Sequence, residues 1–143
     1  MRVFVDTNLW VYRLDRRKPE KRDFIRDWLR EIAEEHDIVV STQVLIELRS
    51  VLTRKLDPPL PGSDTRAALE ALSAFEVVPA NSDLVLDAHE LANTAQLSWF
   101  DALIAEAAIR SGCSVLYSED LNHGQRLGDL TVHNPFQGMG VEI

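Results

Sequence analysis

Apolar residues come in short β-branched runs separated by longer stretches with helical spacing. Val3-Phe4-Val5 is the first run and closes on an acid, Asp6; it predicts a buried strand. Ile38-Val39-Val40, Val77-Val78 and Val115-Leu116-Tyr117 repeat the form, and Leu130-Thr131-Val132 is a possible last strand. Between them, Phe24, Ile25, Trp28, Leu29 and Ile32 form a helical stripe over 19–35, with Pro19 in the first turn. Further helices are expected over 7–15, from a Ser41 or Thr42 cap to about 55, over 64–75, from Ser82 to about 96, and from Ser98 to 111, where Gly112 ends the last. Asp57-Pro58-Pro59-Leu60-Pro61-Gly62 is the clearest surface loop. Strands alternating with helices predict an α/β fold with a central parallel sheet of four to five short strands. Neither repeats nor linkers interrupt 1–143, so a single domain is expected.

Composition adds little to this. Of 143 residues, 45% are hydrophobic and 27% charged, ordinary for a globular protein. No apolar stretch approaches the roughly 18 residues of a membrane span. No signal peptide is visible, and Cys113 is the lone cysteine, so disulfides and cysteine-based zinc sites are not expected. A cytoplasmic location is the expectation. The net charge of −8 is uneven: residues 1–55 carry twelve Lys/Arg against ten Asp/Glu, and residues 56–143 carry three against thirteen. That total argues against a generic nucleic-acid binder. It suits either plain solubility or acids that converge on cations.

Four acids stand where acids are costly or well aimed. Asp6 and Asp120 follow strands, at the edge where open α/β sheets bind ligands; each also has an ordinary reading as a turn former or helix cap. Glu47 is three residues after Val44 and four before Val51, on the apolar face of its helix, where an unpaired carboxylate is costly. Its ordinary reading is an ion pair with a base such as Arg49 or Arg54. Asp101 faces the same side as Ile104, Ala105 and Ala108, although Ser98-Trp99-Phe100-Asp101 also has the form of a capping box. In a parallel sheet, strand ends and helix starts share one edge, so all four carboxylates can meet in one cleft. Such a set would repel unless a hard divalent ion joined it, and oxygen-only donors suit Mg²⁺ or Mn²⁺ better than zinc.

Arg13, Arg16, Arg17, Lys18, Lys21 and Arg22 cluster near the first helix-to-helix turn. They form either a footprint for phosphates or a solvated face paired with Glu20, Asp23 and Asp27. Trp99-Phe100 is expected to pack as core, with base stacking as the other role. His89 is expected to be structural and His123 to lie at the surface. Leu9, Trp10, Tyr12 and Leu14 exceed what one sheet face needs, and serve either as core or as a docking surface.

Val3-Phe4-Val5-Asp6-Thr7-Asn8, the helical Glu47 preceded by Ser41, Asp101-Ala102-Leu103-Ile104-Ala105 and Leu116-Tyr117-Ser118-Glu119-Asp120 together resemble the acidic motifs of PIN domains, more narrowly VapC-type toxins. The tail through Asn122-His123-Gly124 and Asn134-Pro135-Phe136 extends the resemblance. It implies a three-layer fold and an endoribonuclease using one or two Mg²⁺ or Mn²⁺ ions, with 5′-phosphate and 3′-hydroxyl products. Asp6, Glu47, Asp101 and Asp120 would be the catalytic and metal-binding set, with Asn8 orienting Asp6 and Ser118 holding a water or ligand. Glu119 leaves the fourth acid ambiguous by one position; a Ser-x-Asp arrangement favours Asp120. The resemblance also implies an RNA substrate, a cognate antitoxin and a homodimer; of the basic cluster, Arg13, Arg16, Arg17 and Lys18 are the candidates to grip that RNA if the cluster is a phosphate footprint rather than a solvated face. The rival readings fit less well. A phosphoaspartate phosphatase wants an acid where Asn8 stands, and a receiver domain wants a late lysine, yet the lysines are Lys18, Lys21 and Lys55. A non-catalytic PIN-like module would not need the full acid set.

Overall fold

The computed structural model describes residues 1–137; the last six positions of the expected single domain lie outside them. The chain runs β1 (Arg2–Val5), α1 (Thr7–Tyr12), α2 (Pro19–Glu35), β2 (Asp37–Ser41), α3 (Thr42–Arg54), α4 (Gly62–Ser73), β3 (Glu76–Val78), α5 (Ser82–Ala95), α6 (Trp99–Arg110), β4 (Val115–Tyr117), β5 (Arg126–Leu127) and β6 (Leu130–His133). The strands form one sheet in the order β3-β2-β1-β4-β6-β5, flanked by helices. β1 pairs in parallel with β2 and β4, β2 with β3 and β4 with β6; only the β5–β6 pair is antiparallel. The sheet is therefore mixed and mostly parallel, with six strands among the described residues rather than four or five.

The added strand is a two-residue edge. Leu127 pairs with Leu130 across Gly128 and Asp129, and Gly128 has φ 64°, a conformation that costs glycine little. Two residues are too few to show periodicity, so the hairpin was hidden in the apolar pattern. Three helix boundaries also shift. α1 stops at Tyr12 because the chain turns there, with the amides of Leu14 and Asp15 bonding back to the carbonyls of Val11 and Tyr12. α4 covers Gly62–Ser73, two residues earlier than expected at each end. α5 is capped by Asn81, one residue before the expected Ser82.

Val3, Phe4, Val5, Val39, Val40 and Leu116 are fully buried, as continuous apolar strands covered on both faces require. α3 lays Val44, Leu48 and Leu52 on the core, and its cap is the Ser41 hydroxyl, which accepts from the Val44 amide at 3.3 Å. Leu9, Trp10 and Tyr12 are buried as well, so the first helix spends its apolar surplus on the core. The Trp10 indole donates to the Val5 carbonyl at 3.1 Å and fixes the turn from β1 into α1.

Two expectations reverse. Trp99 and Phe100 are exposed, because the buried stripe of α6 begins only at Ala102. His89 is exposed on α5, beside Asn93 at 3.5 Å. No helix among the described residues is long and apolar enough to cross a membrane.

Truncating Leu48 to alanine should cost about 2–5 kcal/mol, the scale for a filled core site, whereas Ile46→Ala, at a position 70% exposed, should leave stability nearly unchanged. Denaturant unfolding of the two variants checks this; equal losses would contradict the described orientation of α3.

Candidate active site

The register of the parallel sheet sets the site. Val5 stands opposite Tyr117, so the next residues, Asp6 and Ser118, emerge side by side at the carboxyl edge. The Asp6 amide extends the ladder by donating to the Tyr117 carbonyl at 3.0 Å. One Asp6 oxygen, Oδ1, accepts from the Thr7 amide at 2.7 Å and caps α1; Oδ2 accepts from the Ser118 hydroxyl at 2.8 Å. The capping role and an active-site role thus coexist in one carboxylate.

Asp6, Glu47, Asp101 and Asp120 all line one hollow of about 460 Å³, together with Thr7, Asn8, Tyr12, Asp15, Lys18, Lys55 and Phe100. Glu47 does not pair with Arg49, Arg54 or any other base among the described residues. Its Oε1 accepts from the Thr7 hydroxyl at 2.8 Å, and its Oε2 lies 3.4 Å from the Gln43 amide. That amide also donates to the Phe100 carbonyl at 3.1 Å, tying α3 to the start of α6. The Ser98 hydroxyl accepts from the Asp101 amide at 3.4 Å. Among the described residues the Asp101 carboxylate makes no reciprocal bond to Ser98, so its oxygens remain available to the hollow.

Three supporting expectations change. Asn8 does not orient Asp6: its amide nitrogen and oxygen are both buried and without partners, and Thr7 and Ser118 do the orienting. Ser118 is fully buried and spends its hydroxyl on Asp6 and on the Asp120 amide, 3.1 Å away, which leaves it turned from solvent. Glu119 points off the hollow, accepting from the Tyr12 hydroxyl beside Lys21. Sequence reasoning missed Thr7, Gln43, Asp15 and Lys55. Lys55 had a readable signal, since Val51 and Lys55 continue the Glu47 face at successive intervals of four.

The basic cluster divides. Arg17 is held by Asp15, at 3.0 and 3.1 Å; the Arg17 guanidinium holds that carboxyl below its ordinary value. Arg22 pairs with Asp23 and Lys21 is buried, so neither is a surface phosphate contact. Lys18 and Lys55 face the hollow, and Arg13 and Arg16 are exposed. His123 is exposed, and its Nδ1 accepts from the Asn134 amide at 3.0 Å.

Asp6 is 4% exposed. Burial pushes its carboxyl up to about 7, the hydrogen bonds from Ser118 and Thr7 oppose this, and the charges of Asp120 and Glu47 add to it. The donor set fits a hard divalent cation: it is all oxygen, and its buried member is held back from ionising partly by like charges. Among the described residues, no three acidic, histidine or cysteine side chains stand close enough to form a ready-made metal cluster.

A sheet edge with a buried aspartate, joined in one hollow by acids from α3, α6 and the turn after β4, defines an α/β protein with an acidic cleft at the carboxyl ends of its strands. Residues 3–126 match the family model of the PIN domain, and the chain belongs to that family. Among solved structures it is similar to a chain of VapBC2 from Rickettsia felis bound to a promoter DNA fragment, with TM-score 0.68 and 21% identity over 94% of this chain and 98% of that one. It is similar to a chain of a toxin–antitoxin complex from Klebsiella pneumoniae, with TM-score 0.68 and 17% identity over 93% and 97%. VapC20 of Mycobacterium tuberculosis, a sarcin-ricin loop cleaving toxin, gives TM-score 0.58 and 19% identity over 80% and 86%. At these identities the likeness is one of fold. No curated protein matches the chain in sequence.

An acid whose folded pKa lies above its unfolded value holds its proton longer when folded, so its stabilisation is lost as pH rises. For Asp6 that window runs from 3.8 to about 7. The metal-free protein should therefore lose thermal stability as pH rises through that window and level off above it, and Asp6→Asn should flatten that slope. Identical slopes in the two proteins would refute the burial account.

Proposed function

We propose that this chain is a divalent-metal-dependent endoribonuclease serving as the toxin of a VapBC-like toxin–antitoxin pair in the cytoplasm. The observation that carries the reading is the convergence of Asp6, Glu47, Asp101 and Asp120 on one hollow at the carboxyl edge of the sheet. Membership of the PIN family and the fold likeness to chains of toxin–antitoxin complexes support it.

Asp6 and Asp101 would hold Mg²⁺ or Mn²⁺ directly, and Glu47 and Asp120 directly or through water. When bound, one or two such ions supply Lewis acidity at the scissile phosphate and lower the pKa of neighbouring water. The protein's own part is preorganisation. Thr7 and Ser118 fix both oxygens of Asp6, so its remaining lone pairs are aimed without reorganisation. The Thr7 hydroxyl fixes Glu47 in the same way, so one residue locks two acids. Lys18 and Lys55 bring positive charge to an otherwise negative hollow and would engage the phosphates flanking the cut, with the exposed Arg13 and Arg16 extending the grip outward while Arg17 stays paired with Asp15. A cognate antitoxin would cover this hollow with a basic side chain, which its charge favours, and the active form would be a homodimer.

Purified protein should cleave RNA in Mg²⁺ or Mn²⁺ and stop when EDTA is added. Asp6→Asn should lower cleavage by about two orders of magnitude or more while remaining folded. Cleavage that survives chelation would overturn the mechanism, and a protein that neither cleaves nor binds Mn²⁺ would be a non-catalytic PIN module.

A further inference from the structure

Three consecutive residues after β4 take three directions. Ser118 turns inward to Asp6, Asp120 faces the hollow, and Glu119 goes to neither. Glu119 is largely buried instead, with Oε1 accepting from the Tyr12 hydroxyl and Oε2 lying 3.8 Å from the Lys21 ammonium. Oε2 has no hydrogen-bond partner, so Lys21 is what compensates its charge. Lys21 is itself only 7% exposed. Its Nζ donates to the Tyr12 hydroxyl at 3.2 Å, and lies 4.6 Å from the centre of the Tyr12 ring and 5.1 Å from that of Phe136.

A lysine this buried is costly unless it is paired. It serves no surface purpose and does not line the hollow. What it does touch is the one acid that competes with Asp120 for the fourth place in the site. Glu119 is adjacent in sequence and longer by one methylene, and it becomes a rival ligand if the turn over 118–120 rotates by one residue. We propose that Lys21 is a positioning residue: with the Tyr12 hydroxyl it holds Glu119 outside the acidic hollow and thereby sets the turn that presents Asp120 to it.

Two other accounts of Lys21 make different predictions. If it acts only by through-space charge, removing a cation near the acids tightens binding of a divalent ion. If it is only a greasy stem packed on two aromatic rings, methionine replaces it without consequence. Positioning predicts the opposite sign from the first and a clear loss against the second. An unpaired Glu119 leaves its wall, the turn loses its fixed register, and the hollow binds the ion more weakly.

The test compares wild type, Lys21→Met and the double variant Lys21→Met/Glu119→Gln. Glutamine still accepts from Tyr12 and needs no cation. In metal-free protein, the amides over 118–120 should broaden by millisecond exchange in Lys21→Met and sharpen again in the double variant. Mn²⁺ titration, which rests on the nuclease reading, should show about 10- to 100-fold weaker binding in Lys21→Met, the usual scale for outer-shell groups, with recovery in the double variant. Should Lys21→Met fail to fold, Tyr12→Phe keeps the ring, loses the hydroxyl link and should shift both readouts in the same direction. Unchanged amides and affinity, tighter binding, or a loss that Glu119→Gln does not repair would each overturn the proposal. A wild type that binds no Mn²⁺ while the amides behave as expected would instead sink the nuclease reading and leave the positioning role standing.

Discussion

At the end of the central strand, a carboxylate is buried at the floor of a hollow lined by other acids. Asp6 is withdrawn from water, feels the charges of Glu47 and Asp120, and among the described residues its carboxylate receives two hydrogen bonds in return, from the Thr7 amide and the Ser118 hydroxyl. In isolation such an arrangement favours protonation, and its carboxyl is raised to about 7 as a result. The surroundings hold Asp6 in place without neutralising it. Asp15, which also lines the hollow, has Arg17, and Glu119 has Lys21, while Asp6, Glu47, Asp101 and Asp120 have no ion-pair partner among the described residues. The two nearby lysines, Lys18 and Lys55, line the same hollow without closing it.

The fold makes this possible through strand direction. Parallel pairing of β1 with β2 and β4 sends the ends of these three strands toward one edge, and α1 and α3 begin there. Capping residues therefore double as site builders. Asp6 caps α1 and faces the hollow, Ser41 starts the helix that carries Glu47, and Ser98 starts the one that carries Asp101. Thr7 completes the lock by bonding Asp6 through its amide and Glu47 through its hydroxyl. Acids as far apart in the chain as Asp6 and Asp120 come to line one hollow through backbone register.

Much of this was legible in the sequence. β1, β2 and β4 announced themselves as β-branched runs because they are buried on both faces; Asp6 stood out as an acid closing a buried strand, and Glu47 and Asp101 as acids on apolar helix faces. β6 was legible as the Leu130-Thr131-Val132 run, but its partner β5 was not, since an edge of two residues carries no period. Trp99 and Phe100 misled because apolar character says nothing about whether a helix's first turn reaches the core. Asn8 and Ser118 were placed in the right neighbourhood with the wrong partners, because hydrogen bonding depends on rotamers that only packing decides. The choice between Glu119 and Asp120 depended on Lys21, a residue that looked like part of a basic surface until its helix turned it inward.

The claim on which the whole account stands is that these acids share a bound divalent ion. Anomalous diffraction from a crystal soaked in Mn²⁺ tests it directly. The account predicts a peak in the hollow, within coordination distance of an Asp6 oxygen and of at least one oxygen from Asp101, Glu47 or Asp120. A well-ordered crystal with no peak there, or with manganese only on outlying surface acids, would contradict it.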